Sequence, residues 1–184
     1  MTTAIFLIIA LVICIGFWIV SVQRKLVAKD ELCKNAMSQI GVQQNSRWDA
    51  LTALAELVKS YSEHEYKTIT DVIAQRTAIT RDSKAGDADA QEQLLSSAFR
   101  SINVVAEQYP DLKANQNYIK AMDSVNTYEN QVRMSRMVFN DTVTKFNKIV
   151  RQFPDSAVAS MLHFTVKDYL QENQSKAEMP SLKI

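Results

Sequence analysis

Two histidines, His64 and His163, and four charged residues set into apolar stripes are the side chains of this chain with the best prospects for chemistry. Glu129 and Arg136 fall in the same three-and-four series as Val125, Val132 and Phe139, and Glu65 and Arg76 fall in series with Val58, Ile69 and Val72. An unpaired buried charge costs several kcal/mol. Two acids and two bases facing one core are therefore expected to form a paired layer that fixes helix register. The competing reading makes the same four residues, Glu65, Arg76, Glu129 and Arg136, a ligand or functional pocket. Metal chemistry fits less well. A carboxylate-bridged di-metal bundle takes Glu from two helices and Glu-x-x-His from two others, whereas Ser160 stands three residues before His163. His64 lies between Glu63 and Glu65, and adjacent helical residues point about 100° apart, too far round to share one ion. No HExxH, GxSxG or glycine-rich phosphate loop is present, so no catalytic residue, metal or cofactor is implied.

The elements that would position these residues are helical. Only 3 Gly and 3 Pro occur in 184 residues, too few for a sheet protein with many tight turns. Apolar residues recur at helical spacing in Trp48, Leu51, Ala55, Val58, Ile69, Val72 and Ile79, and again from Tyr118 through Val132, Phe139 and Phe146 to Val150. Leu94, Leu95, Ala98, Phe99, Ile102, Val105 and Ala106 give a third stripe, and Leu26, Cys33, Met37 and Ile40 another. Such seams belong to a coiled coil or a bundle. Asp49 reads as the cap of a helix starting near Ala50, and Asp87 or Asp89 as the cap after the polar break at 82–87. Gly41 costs about 1 kcal/mol against Ala, too little to force a break. One kinked rod across 41–47 is therefore open, with four short-looped up-and-down helices the preferred arrangement.

Ala4–Val22 carries no charge and at 1.5 Å per residue spans about 28 Å, close to the hydrocarbon thickness of a bilayer. A cleaved signal would need a basic start and a small-x-small exit, but Met-Thr-Thr opens the chain and Phe17-Trp18-Ile19-Val20 precedes Ser21. An uncleaved anchor in contact with the lipid bilayer through residues 4–22 is expected. Arg24, Lys25 and Lys29 follow the run with nothing basic before it, which places the N-terminus outside and the rest in the cytoplasm of a bacterium; the opposite, outward-facing topology is the alternative. Three segments result: the anchor 1–22, a bundle 23–152, and an apolar segment with a polar tail 153–184, the tail beyond Gln171 expected to be disordered. Val158 to Phe164 is expected to cap the bundle base or touch the lipid interface, although the stretch has no cationic face of its own. A net charge of +1 argues against nucleic acid as a partner. Cys14 and Cys33 show no CxxC or Cys/His spacing and read as reduced, buried thiols.

Tyr109-Pro110-Asp111-Leu112-Lys113-Ala114-Asn115 resembles the YPDLKAN signature of the LemA proteins. Glu129-Asn130, Arg136, Phe139-Asn140-Asp141, Phe146-Asn147 and Phe153-Pro154 are similar to that family's later motifs. Upstream, Arg47-Trp48-Asp49, Leu57-Val58-Lys59, Tyr61, His64-Glu65 and Arg76 fit its earlier block, the order holding from Met1 to Phe164. Leu51-Thr52-Ala53-Leu54 departs from the family's IPNL, losing Pro and Asn, and Gln75 replaces a Glu. The resemblance implies an all-α, membrane-anchored four-helix domain without an established activity, and it groups Glu65, Arg76, Glu129 and Arg136 together. In Tyr109, Pro110, Asp111 and Asn115 turn chemistry predicts a helix corner with Asp111 as its cap; an exposed recognition loop is the alternative. A noncatalytic scaffold, meeting an unknown protein partner or forming a homo-oligomer through exposed heptad positions, is the expected role. A ligand-binding or enzymatic bundle using the charged layer is the alternative.

Overall fold

The computed structural model describes residues 2–171, and every regular element among them is helical. The tail beyond Gln171, expected to be disordered, lies outside the described residues. Helix α1 covers Thr2–Lys59, a single rod of 58 residues about 87 Å long at the standard rise. No proline interrupts it, and its buried face repeats without a break through Ile40, Gln44, Arg47, Trp48, Leu51, Leu54, Ala55 and Val58. The expected break before Asp49 is absent. A capping residue is a local signal worth about 1 kcal/mol, and a continuous apolar face outweighs it. Asp49 pairs instead with Arg76, at 2.9 Å.

The helix ends at Lys59, and Ser62 caps α2 (Glu63–Ile73), its Oγ accepting from the Glu65 N–H. The chain then descends alongside α1. Tyr66 bonds Glu56, Arg76 reaches Asp49 and Asn45, and Arg81 reaches Glu31. The second descending element is therefore helical only over α2, and residues 74–84 complete it as a non-helical crossing. Helix α3 (Ala85–Gln108) rises, the single turn α4 (Pro110–Ala114) rounds the corner, and α5 (Gln116–Arg151) descends. Of the two candidate caps for α3, Asp87 accepts from the Lys84 N–H at 2.9 Å, whereas Asp89 is an interior residue with another partner. Helix α6 (Asp155–Met161) turns under the end of α5.

Gly41 explains how the crossing lies so close to α1. A Cβ there would sit 2.1 Å from the carbonyl oxygen of Ile79. Gly41→Ala gains helix propensity, about 1 kcal/mol, yet must push backbone aside, an overpacking cost of about 1–3 kcal/mol or more. Net destabilisation is expected, with faster amide exchange around Ile79. An unchanged melting temperature and exchange rate would show that the crossing is not seated there.

Two apolar clusters fill the molecule. The lower joins Val22, Leu26, Met37 and Ile40 of α1 to Phe139, Val143 and Phe146 of α5 and to Val158, Ala159 and Leu170. The upper joins Trp48, Leu51, Leu54 and Val58 to Leu95, Ile102 and Val105 of α3, with Ile69, Leu112 and Tyr118. Below both, the start of α1 stands free, with Ile5 to Ile15 largely exposed. It is long and apolar enough to cross a membrane, and only 6% of its most apolar window is buried.

Candidate functional site: a polar layer and the strap it holds

Between the two apolar clusters lies a polar layer. The first turns of α3, Ala88-Asp89-Ala90-Gln91-Glu92, supply it because the stripe of Leu95, Ala98, Phe99 and Ile102 continues backwards onto Glu92, Gln91 and Ala88. Glu92 receives both contacts of the Arg47 Nη1, at 2.8 and 2.6 Å, and Arg47 also lies 5.7 Å from the centre of the Phe99 ring. The Gln44 amide donates to the Ala88 carbonyl at 3.1 Å. Gln91 accepts from the Thr77 N–H, fixing the crossing segment. Asp89 pairs with Arg136 of α5. One short stretch of α3 thus ties together α1, the crossing and α5.

Beyond α6 the chain continues without helix as a strap, residues 164–171, which climbs back along α5. Two asparagines hold it by its main chain. Asn147 Nδ2 donates to the Lys167 carbonyl and its Oδ1 accepts from the Lys167 N–H, at 2.9 and 2.8 Å. Asn140 makes the same pair of bonds with Leu170, at 3.0 and 2.9 Å. Seven helical residues rise about 10.5 Å, and three extended residues advance about 10 Å. The spacing of Asn140 and Asn147 therefore matches an extended chain reading every third residue. At the upper end the Gln171 N–H donates to Asp89 at 3.0 Å, and Arg136 donates to the Gln171 carbonyl. Leu170 is buried, and Phe164 packs edge-on against Phe146 at 6.1 Å. Lys167 reaches Asp30 of α1 at 2.8 Å. Burial opposes ionisation of Asp30, but hydrogen bonds from Lys167 and Lys34 outweigh it and hold its carboxyl below the ordinary value.

The four residues expected to form one layer are distributed otherwise. Arg76 is exposed beyond α2, and Glu65 sits half-buried in the first turn of α2, its backbone N–H in the Ser62 cap. Glu129 is half-buried on α5, and Arg136 is engaged with Asp89 and the strap. Among the described residues the most deeply buried ion pair is Arg47–Glu92. The same test, a charged residue in an apolar series, points to Arg47 between Ile40 and Leu51 and to Glu92 before Leu95. Local composition hides both, since Gln43-Gln44-Asn45-Ser46 and Asp87-Ala88-Asp89 read as breaks or caps.

The 109–115 corner joins α3 to α5 through α4. Tyr109 ends α3 and stacks obliquely on Tyr61 at 6.0 Å, and Leu112 is fully buried. Asp111 occupies the first turn of α4 without a side-chain cap bond, so the expected cap is Asn115 instead, accepting from the Asn117 N–H at 2.8 Å. Pro110 opens the single turn α4, and the last long helix begins only at Gln116. Cys33 is buried, and that burial pushes its thiol up, but Cys14 is exposed on the free part of α1. Among the described residues no group of three or more His, Cys, Asp or Glu is arranged to hold a metal.

These features define a class of protein: an all-helical domain built on the continuation of a long apolar N-terminal helix, with its buried charges spent on holding elements together. The LemA family model matches residues 36–184, and the chain belongs to the LemA family. It is similar to a protein named Protein LemA from Metamycoplasma hominis, 26% identical over 162 residues, which cover 85% of this chain and 74% of that relative.

Proposed function

We propose that this protein is a single-pass scaffold of the bacterial inner membrane, its N-terminus outside and its domain in the cytoplasm, acting through protein contacts or self-association rather than catalysis. The observation that carries the reading is the continuity of α1. Its exposed apolar start and its buried core face belong to one unbroken rod. Anchor and domain are then mechanically one piece, as a fixed platform requires. Trp18 and Ile19 pack against the lower cluster, so removal as a signal peptide would strip contacts from the domain itself. Arg24 and Lys25 directly after the apolar run favour the cytoplasmic orientation. Against catalysis stands the use of the charges: Arg47, Glu92, Asp89 and Arg136 serve as ties between elements, and two surface grooves are lined by none of Glu65, Arg76, Glu129 and Arg136.

Topology is tested by an exposed cysteine on α5. Lys120→Cys, with Cys14→Ser and Cys33→Ala, should resist a membrane-impermeant maleimide in intact cells and react after lysis; reaction in intact cells would reverse the orientation. The scaffold half is tested by affinity purification of the detergent-solubilised chain with mass spectrometry and light scattering. A reproducible stoichiometric companion or self-oligomer is expected, and recovery of a bare monomer would overturn it.

A further inference from the structure

The lower end of the domain carries a feature that scaffold action does not require. Helix α5 ends in Lys148 and Arg151, and the turn into α6 presents Phe153 with 81% of its surface exposed. Met161, at the end of α6, is 58% exposed. Single exposed apolar residues are ordinary; what sets these two apart is their place at the end of the domain from which the apolar run of α1 emerges. Their height on the molecule follows from their neighbours. Val158 and Ala159 pack in one cluster with Val22 and Leu26, against which Trp18 and Ile19 also pack. The strap links Asn147 to the level of Asp30 through Lys167. Since α5 descends as α1 rises, Arg151 stands at about the level of Leu26, one helical turn past the last residue of the apolar run.

The headgroup layer on each side of a bilayer is about 5–7 Å deep, the rise of about four helical residues. Arg24 and Lys25 on α1 and Arg151 on α5 fall at this depth, and Lys148 stands about 4.5 Å farther out, one turn up α5. All four are exposed and, among the described residues, in no ion pair. Asp155, half-buried in the first turn of α6, is the acid that accompanies them. The stretch 158–164 has no cationic face of its own, but the fold sets the last turn of α5 beside it and supplies one. Basic side chains with long apolar stems, next to an exposed Phe and Met, fit the boundary between acyl chains and phosphates.

We propose that the α5–α6 corner is a second membrane contact, seated on an anionic lipid surface, with Phe153 and Met161 in the interface and Arg24, Lys25, Lys148 and Arg151 on lipid phosphates. The inference rests on the anchor reading above. Two contact points, the span and the corner, fix the tilt of the domain on the membrane, where a span alone leaves it free to lean.

The test uses the full chain carrying Phe153→Cys, Cys14→Ser and Cys33→Ala, labelled with an environment-sensitive fluorophore. It is reconstituted into vesicles of phosphatidylcholine with or without phosphatidylglycerol. A matching label at Asn126→Cys, on the upper half of α5, is the control. The expected result is a blue shift and quenching by spin-labelled lipid at position 153, larger with phosphatidylglycerol and absent at position 126. Lys148→Glu with Arg151→Glu should abolish that dependence on phosphatidylglycerol, and Lys148→Gln with Arg151→Gln should weaken it with less risk to folding. Emission at 153 identical in detergent and in both vesicles, while the protein floats with the lipid, would overturn the corner contact and leave the anchor standing. A shift indifferent to lipid charge and to both pairs of substitutions would overturn the assignment of lipid phosphates. Failure of the chain to float with vesicles at all would overturn the anchor reading and this inference with it.

Discussion

Replacing Glu92 with alanine should destabilise the protein by about 3–5 kcal/mol, the cost of leaving a buried charge without its partner. Arg47 is 2% exposed and Glu92 6%, so water does not stand in when the carboxylate goes. The Phe99 ring contributes only a face for the guanidinium, and the Arg47 Nε already lacks a partner among the described residues. For a domain of this size, a loss of that order lowers the melting temperature by about 10 °C, measured by circular dichroism of the full chain in detergent. Arg47→Met combined with Glu92→Leu should lose distinctly less, because an apolar pair of similar volume carries no stranded charge. Equal losses in the single and double variants would mean that packing, not charge pairing, carries the layer.

The second large effect concerns the strap. Asn147→Asp keeps the shape of the side chain and its ability to accept from the Lys167 N–H, but replaces the donor to the Lys167 carbonyl with a carboxylate oxygen. Two acceptors then face each other in a half-buried site, and an unsatisfied group there costs about 1–3 kcal/mol. Asn140→Asp does the same at Leu170. The double variant is expected to release residues 164–171 from α5 while the upper cluster stays folded. Its signature is a rise of amide exchange of ten-fold or more at Lys167 and Leu170, with no change at Leu95 and Ile102, since about 1.4 kcal/mol corresponds to ten-fold in a local opening equilibrium. Uniform acceleration across the molecule would instead make the strap part of the global folding unit.

These two sites show different degrees of legibility. Asn140 and Asn147 stand within motifs that carry the family resemblance, yet nothing local states their task. An asparagine on a helix gains meaning only when an extended chain is laid beside it, and that chain comes from 20 to 30 residues further on. The Arg47–Glu92 pair was within reach, because both residues interrupt apolar series, but it spans 45 positions, and sequence periodicity gives faces without giving partners. Glu65, Arg76, Glu129 and Arg136 illustrate the same limit. A stripe places a residue toward the interior to within about one helical position, and a long side chain at the edge of the stripe reaches solvent or a different element.

By itself the sequence determined that the protein is helical, that its first apolar run is long enough to cross a bilayer, and that proline and asparagine punctuate the 109–115 corner. Spacing of apolar residues and the chemistry of turn residues are local properties, and they suffice for those statements. Tertiary structure decided the rest. It made α1 one rod through Asp49, since the apolar face it buries outweighs a single capping residue. It assigned Gly41 to a close approach by Ile79, gathered Asp89, Gln91 and Glu92 into ties for three separate elements, and laid the strap on Asn140 and Asn147. Each of these depends on which surfaces meet, and residues distant along the chain meet only when the whole chain has folded.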